Sequence, residues 1–356
     1  MANIPEGADY RISIWGKHGL KLCEVDATFH CLWAMAPIIG TAYFTMSTND
    51  PKCTQENLEF GNYVFFEHQK LGNWAGFITP HNQRRWSGDK QVTIPIMAIE
   101  GLFSRRRAGA GSPMEGSAGA VFKNLCNVAN AEGDLRIRFN GSIYNGGDKT
   151  GIPDPKNALM NGLMDTIQTN NNIDWWLDPT INEKNGRLIF NANLAKQRGV
   201  AQNYQLKEGF NIERPSGDFY VEEGELINDE MVVSSSATNA DAHKQIKRDK
   251  PSQMLYGVWQ NTDSNSAATA ASSQAMADAK ITSNKAPQGK LMLAALEAPE
   301  SPDTFSHIGL GDVVGVDIYS VGFYAPTNGV SANARILSRE YSTDDNKVIL
   351  VTQVIT

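Results

Sequence analysis

Near the start of the chain, large apolar residues fill both faces of one short run. In residues 63–66, Tyr63 and Phe65 point to one side and Val64 and Phe66 to the other. Residues 71–79, which include Trp74 and Phe77, form a second such run after a short loop, and the pair predicts a hairpin. A strand that is apolar on both sides has something packed on each side. Water cannot be the second neighbour, so a ring, a shell or a partner chain is expected there. The same grammar returns at the far end, where residues 310–318 lead through a loop to 335–341 and 348–352. Two β units with helices between them are the first architectural expectation.

Residues 10–100 read as a run of strands. Tyr10, Ile12 and Ile14 alternate with Arg11, Ser13 and Trp15, and Val92, Ile94 and Ile96 with Gln91, Thr93 and Pro95. Pro95, on the polar face, predicts a sheet edge or a strand end. Near Gly101 the texture changes to Arg105-Arg106-Arg107 and a Gly/Ala/Ser stretch, a joint. Ser117 can then cap a helix with Ala118, Val121, Phe122, Leu125 and Ala129 on one stripe. A second helix is expected over 156–168, with Leu159, Leu163 and Ile167 on its stripe, after the start signal Pro153-Asp154-Pro155. Residues 175–177 and 187–190 read as short strands, so the middle block is a small mixed α/β domain. Strands resume at 217–221 and 230–233. Residues 237–253 read as polar loop. Residues 262–280 predict one helix with a small-residue face, capped by Thr262 or Asp263, with low-complexity linker as the alternative. The last β unit spans about 291–355, and no internal repeat is visible.

A chain of 356 residues is too long for one compact core, so two or three domains are expected. The net charge of −7 argues against a general phosphate-binding surface. It is compatible with a wall past which DNA slides. Residues 1–6 lack the basic start and apolar core of a signal peptide. The longest apolar run, over 32–39, is short of a membrane span and contains Pro37. Cys23, Cys31, Cys53 and Cys126 show no CxxC spacing, which predicts free thiols in a cytosol.

Candidate chemistry is sparse. Cys126 with His30 or His68 could form a nucleophile and base, but Cys126 lies beside Leu125 on an amphipathic helix and reads as core. Cys23, His30, Cys31 and Cys53 match no zinc spacing. Asp174-Trp175-Trp176-Leu177-Asp178 sets carboxylates beside aromatics, as sugar-cleaving sites do, and equally as an acidic turn does. Asp312 after Gly311 reads as a turn. Arg105, Arg106 and Arg107 form a solvated joint or a docking surface for an acidic partner. Nucleotide, metalloprotease, hydrolase and EF-hand motifs are missing. Neither a catalytic residue nor a metal or cofactor site is expected.

The order of elements resembles bacteriophage tail-tip or baseplate hub proteins, a family that includes the hub part of secretion-system spikes. The resemblance rests on Asp9-Tyr10-Arg11-Ile12-Ser13-Ile14 and on Trp74-Ala75-Gly76-Phe77-Ile78 after Gly61-Asn62-Tyr63-Val64. It continues through residues 206–212, 226–233, 310–314 and 334–340, and so covers nearly the whole chain. It implies a mainly β protein with an α/β insertion: two tail-tube-type β-barrels plus an inserted mixed α/β domain. Residues 1–104 with 203–236 would form the first barrel, 105–202 the insertion, and 237–356 the second barrel with one helix.

The resemblance also implies a role. Three copies would close a homotrimeric ring of six barrels at the virion's tail tip, adapting a six-fold tail tube to a three-fold tip and bordering the DNA channel. Distal tail or tube proteins, the tape-measure protein and a separate spike or receptor-binding chain would be its partners, and viral DNA would pass without tight binding. Many such proteins extend into spike or lysozyme-like domains. Here the sequence ends on a strand, so penetration is expected of another chain. Tyr63, Phe65, Trp74 and Phe77, with the three arginines, are the candidate interface residues. A hexameric tube component and a cell-wall carbohydrate hydrolase or binder are the alternatives.

Overall fold

The computed structural model describes residues 9–80, 84–108, 114–131, 133, 135–146, 150–152, 159–214, 219–222, 226–234, 243–265, 270–320, 329–345 and 347–355. The chain is mainly β. The first β unit holds β1 (Tyr10–Trp15), β2 (Lys21–Val25), β3 (Thr28–Ala34), β4 (Thr41–Ser47), β5 (Tyr63–His68), β6 (Gly72–Ile78), β7 (Arg85–Trp86) and β8 (Gln91–Ala98). A mixed α/β block follows with β9 (Met114–Gly116), α1 (Ala118–Ala131), β10 (Ile137–Arg138), β11 (Thr150–Ile152), α2 (Met160–Asn171), β12 (Asp174–Ile181) and β13 (Leu188–Ala195). Next come β14 (Ala201–Lys207), β15 (Phe219–Glu222), β16 (Asp229–Ser234), β17 (His243–Arg248), α3 (Lys250–Tyr256), β18 (Gln260–Asn265) and α4 (Ala270–Asn284). The chain closes with β19 (Gln288–Leu296), β20 (Val313–Ile318), β21 (Val330–Ser342) and β22 (Lys347–Ile355).

β5 pairs with β1 on one side and β6 on the other, as the hairpin pattern predicts. Its two faces enter different cores. Val64 and Phe66 join Ile12, Ile14, Phe29 and Trp74 inside the first β unit, where Phe29 stacks on Phe66 at 4.6 Å. Tyr63 and Phe65 join Trp15, Ala75 and Phe77 in a second core shared with α1, α2, β12 and β13. The apolar second face is therefore covered by the chain's own α/β block, which the two-faced pattern alone could not distinguish from a partner chain.

α1 forms as its stripe predicts. The Ala120 amide donates to the Ser117 hydroxyl at its start, and Ala118, Val121, Phe122, Leu125 and Ala129 are buried. α2 starts later than expected, with Leu163 and Ile167 buried but Leu159 exposed. The predicted start signal at 153–155 lies outside the described residues.

The two β units join edge to edge, because β21 pairs with β3 as well as with β20 and β22. One sheet of fourteen strands results, with a core continuous from Ile12 to Leu350. Residues 203–236, expected to return to the first unit, pair elsewhere. β14 runs parallel to β20, β15 pairs with β19, and β16 lies between β17 and β18 in a separate three-stranded sheet. Where the chain passes from β13 to β14, Gly199 and Gly311 approach so closely that a Cβ on Gly199 would meet the Gly311 backbone at 2.2 Å.

Three further expectations are corrected. Pro95 is buried within β8, between the place where β6 leaves at Ile96 and the place where β7 begins at Thr93. Its missing N–H falls where the neighbour changes and breaks no ladder bond. The polar stretch 237–253 contains β17 and the start of α3. Thr262 and Asp263 lie in β18, a strand held by parallel pairing to β16, and the Ala/Ser-rich helix begins only afterwards.

Candidate functional site

Sequence reasoning singled out two groups of residues, and the fold separates them. The interface candidates Tyr63, Phe65, Trp74 and Phe77 are all buried within a single chain, at 1–5% exposure. Tyr63 packs on Phe190 of β13 at 5.5 Å, with the Arg136 guanidinium over its ring at 4.8 Å. Phe65 meets Trp15 edge-on, and Trp74 meets Phe29. Tyr63, Phe65 and Phe77 hold the first unit to the α/β block, while Trp74 packs inside the first unit, so within the chain all four are core. Arg105, Arg106 and Arg107 sit at the joint between the same two parts. Arg105 lies over the Phe77 ring and donates to Thr79 Oγ1 at 3.1 Å, Arg106 donates to the Ala129 carbonyl at 3.2 Å, and Arg107 bridges to Leu159.

The second group converges where the α/β block and both β units meet. Asp174, the first residue of β12, accepts the Arg198 amide at 2.7 Å and pairs with the Arg335 guanidinium from β21. Arg335 also donates to the Arg198 carbonyl at 3.2 Å. Asp312, which looked like a turn residue, accepts from the Val200 amide at 2.8 Å and from Gln202 Nε2 at 3.0 Å. Two carboxylates thus clasp residues 198–202 against the start of β20. Nothing in local sequence signals this, because its partners lie from 24 to 161 positions apart.

Asp178 accepts Trp176 Nε1 at 3.0 Å and Asn193 Nδ2 at 2.8 Å, while Arg198 covers the Trp176 ring at 5.0 Å. Trp175 points the other way, into the second core against Phe103. Glu100 accepts the Leu177 amide at 3.3 Å, and burial lifts its carboxyl above the usual range. Burial likewise lowers the Arg198 guanidinium, against the pull of Asp178, Glu100 and Asp174.

Between these groups lies a cavity of about 40 Å³, lined in part by Trp33, Asn73, Glu100, Asp178 and Arg198. That volume suits a water molecule or so, whereas small-molecule sites span roughly 300–1,000 Å³. A glycosidase needs one carboxyl to protonate the leaving oxygen and another to attack or activate water, with a sugar between them. Here the carboxylates of Asp174 and Asp178 are occupied by structural donors, and there is no room for a ring.

The thiol and imidazole candidates are dispersed. Cys126 is buried on α1, and burial pushes its thiol well above the ordinary value. Burial also raises Cys23, Cys31 and Cys53. His30 pairs with Glu340 at 2.9 Å and stacks on Tyr43. His68 closes the β5–β6 hairpin: its Nδ1 accepts the amides of Lys70 and Leu71, both at 3.1 Å. Among the described residues no three His, Cys, Asp or Glu side chains group in a way that could hold a metal ion, and no helix is long and apolar enough to cross a membrane.

No protein-family model and no curated protein matches the chain. Solved structures do. A prophage tail protein from Listeria monocytogenes is similar at a TM-score of 0.60 and 11% identity, over 96% of this chain and 94% of that one. The 43 kDa tail protein of prophage MuSo2 from Shewanella oneidensis is similar at 0.61 and 11% identity, over 97% and 98%. A tail protein from Neisseria meningitidis gives 0.59 and 13% identity, over 98% and 97%. From end to end, the chain has the fold of these tail proteins.

Proposed function

We propose that this protein is a structural hub at the tip of a phage-type tail, working as a homotrimeric ring that borders the DNA channel. The observation that carries the reading is the likeness to prophage tail proteins over 96–98% of this chain. The closed polar junction agrees with it, because its carboxylates serve as a clasp between units. The hub's task is mechanical. It adapts a six-fold tube to a three-fold tip, anchors the end of the tape-measure protein, and lets DNA pass. Distal tail or tube proteins would lie above it and a separate spike or receptor-binding chain below.

Native mass spectrometry of the purified chain, alone and with tail partners, tests the reading. Three copies are expected. Six copies would favour a tube component. Clearing of a cell-wall suspension that vanishes in Asp174→Asn or Asp178→Asn would replace the structural role with a hydrolytic one.

A further inference from the structure

We propose that His68 is an acid-operated latch between the two β units: neutral, it locks the tip of the β5–β6 hairpin into the last unit, and protonated, it releases that tip. Every contact involved lies within one chain, so the latch does not depend on how many copies assemble. The tip runs from His68 to Leu71 and reaches across to the last β unit. The Leu71 carbonyl accepts from the Arg339 guanidinium of β21 at 2.7 Å, and the same guanidinium donates to the Ile308 carbonyl at 3.3 Å. Arg339 is itself buried, with its charge over the Trp33 ring at 4.7 Å. Lys70 pairs with Glu297, donates to the Pro302 carbonyl and lies 3.9 Å from Asp303. The His68 ring is buried against Phe305 at 6.3 Å and edge-on to Tyr341 at 5.1 Å.

The neutral imidazole shapes this tip. Its Nδ1 accepts the amides of Lys70 and Leu71, both at 3.1 Å. The ring proton therefore sits on Nε2, a buried atom without a hydrogen-bond partner. A second proton would put an N–H where two N–H groups already point. Both amides lose their acceptor in that one step, and Leu71 carries the carbonyl that Arg339 holds. The ring thus couples a local protonation to the contact between units.

The surroundings oppose the proton while the tip is closed. Burial opposes it most; Asp9, exposed, favours it, while Arg339 and Lys70 repel it. The other titratable neighbours are phenols: Tyr10, opposite His68 on β1, and Tyr341, whose hydroxyl burial raises. The closed imidazole is held at about 4 against an ordinary 6.5, to which release into water returns it. Acid therefore favours the open tip. The β3–β21 ladder keeps the units joined, so the tip opens as a flap and the chain stays folded.

Hydrogen exchange of the full-length chain at pH 7 and pH 5, corrected for the intrinsic pH dependence of exchange, tests the latch. With the closed imidazole at about 4 and the released one at about 6.5, opening should rise about twentyfold between the two conditions. The Lys70 and Leu71 amides should lose protection by that factor in the wild type and keep it in His68→Gln, whose side chain does not titrate. Their exchange should also be indifferent to dilute urea, because a flap exposes little surface. Wild-type protection unchanged at pH 5 would overturn the latch. So would an equal fall in His68→Gln, or exchange that rises with urea as global unfolding does. Should His68→Gln fail to fold, the wild-type imidazole followed by NMR replaces it: a midpoint near 4 supports the latch, and one at 6.5 overturns it.

Discussion

Asp174 and Arg335 stand 161 positions apart, yet their ion pair ties the α/β block to the last β unit. Their side chains are largely but not wholly buried, at 11% and 22% exposure. Asp174→Asn would leave the guanidinium facing an uncharged neighbour. The expected loss is about 2–3 kcal/mol of unfolding free energy, somewhat below the range for a fully buried pair because Arg335 keeps some solvent. Urea denaturation measures it. His68 gives a second prediction at this scale. Burial lowers its imidazole from the ordinary 6.5 to about 4. The unfolded chain therefore binds the proton first as pH falls. Stability from this group is fully present above about pH 6.5 and lost as pH falls from there toward 4. The wild type should weaken by about 1–2 kcal/mol across that window relative to His68→Gln. Parallel pH profiles for the two proteins would show that His68 does not titrate in this way.

At the scale of elements, the hairpin of β5 and β6 and the stripe of α1 were legible because their periods are strong and local. The two-faced character of β5 was legible as well, but not the identity of its second neighbour. Apolar period says only that water is excluded, and here the chain's own helices exclude it. Phe65→Ala is thus expected to cost about 3–5 kcal/mol of monomer stability, as emptying a core does. A residue at a contact between copies would instead leave the monomer intact and weaken assembly. Chemical denaturation at low protein concentration separates the two. β18 was illegible for the opposite reason. Gln260-Asn261-Thr262-Asp263-Ser264-Asn265 has no apolar alternation, and its strand form comes from the ladder that β16 offers. The return of β14 to the last unit was hidden too, since its partner β20 lies more than 100 positions further along the chain. Of the candidate site, the sequence marked Asp174, Asp178 and Asp312 individually. It could not show that Asp174 and Asp312 act as parts of a clasp.

For the whole molecule, a conduit works best when it does not hold its cargo, and phosphate contacts bind through counterion release. The acidic chain is expected to give no duplex binding at physiological salt in a gel-shift titration. Tight, steeply salt-dependent binding lost on replacing Arg105, Arg106 and Arg107 by alanine would place that run against DNA. The hub reading itself turns on symmetry. Electron-microscope class averages of the purified oligomer, viewed down its axis, read that symmetry directly. A closed ring of three copies, each supplying two β units around a central opening, is the expected image. A ring of six copies, or particles that remain single chains at every concentration and with tail partners present, would contradict it.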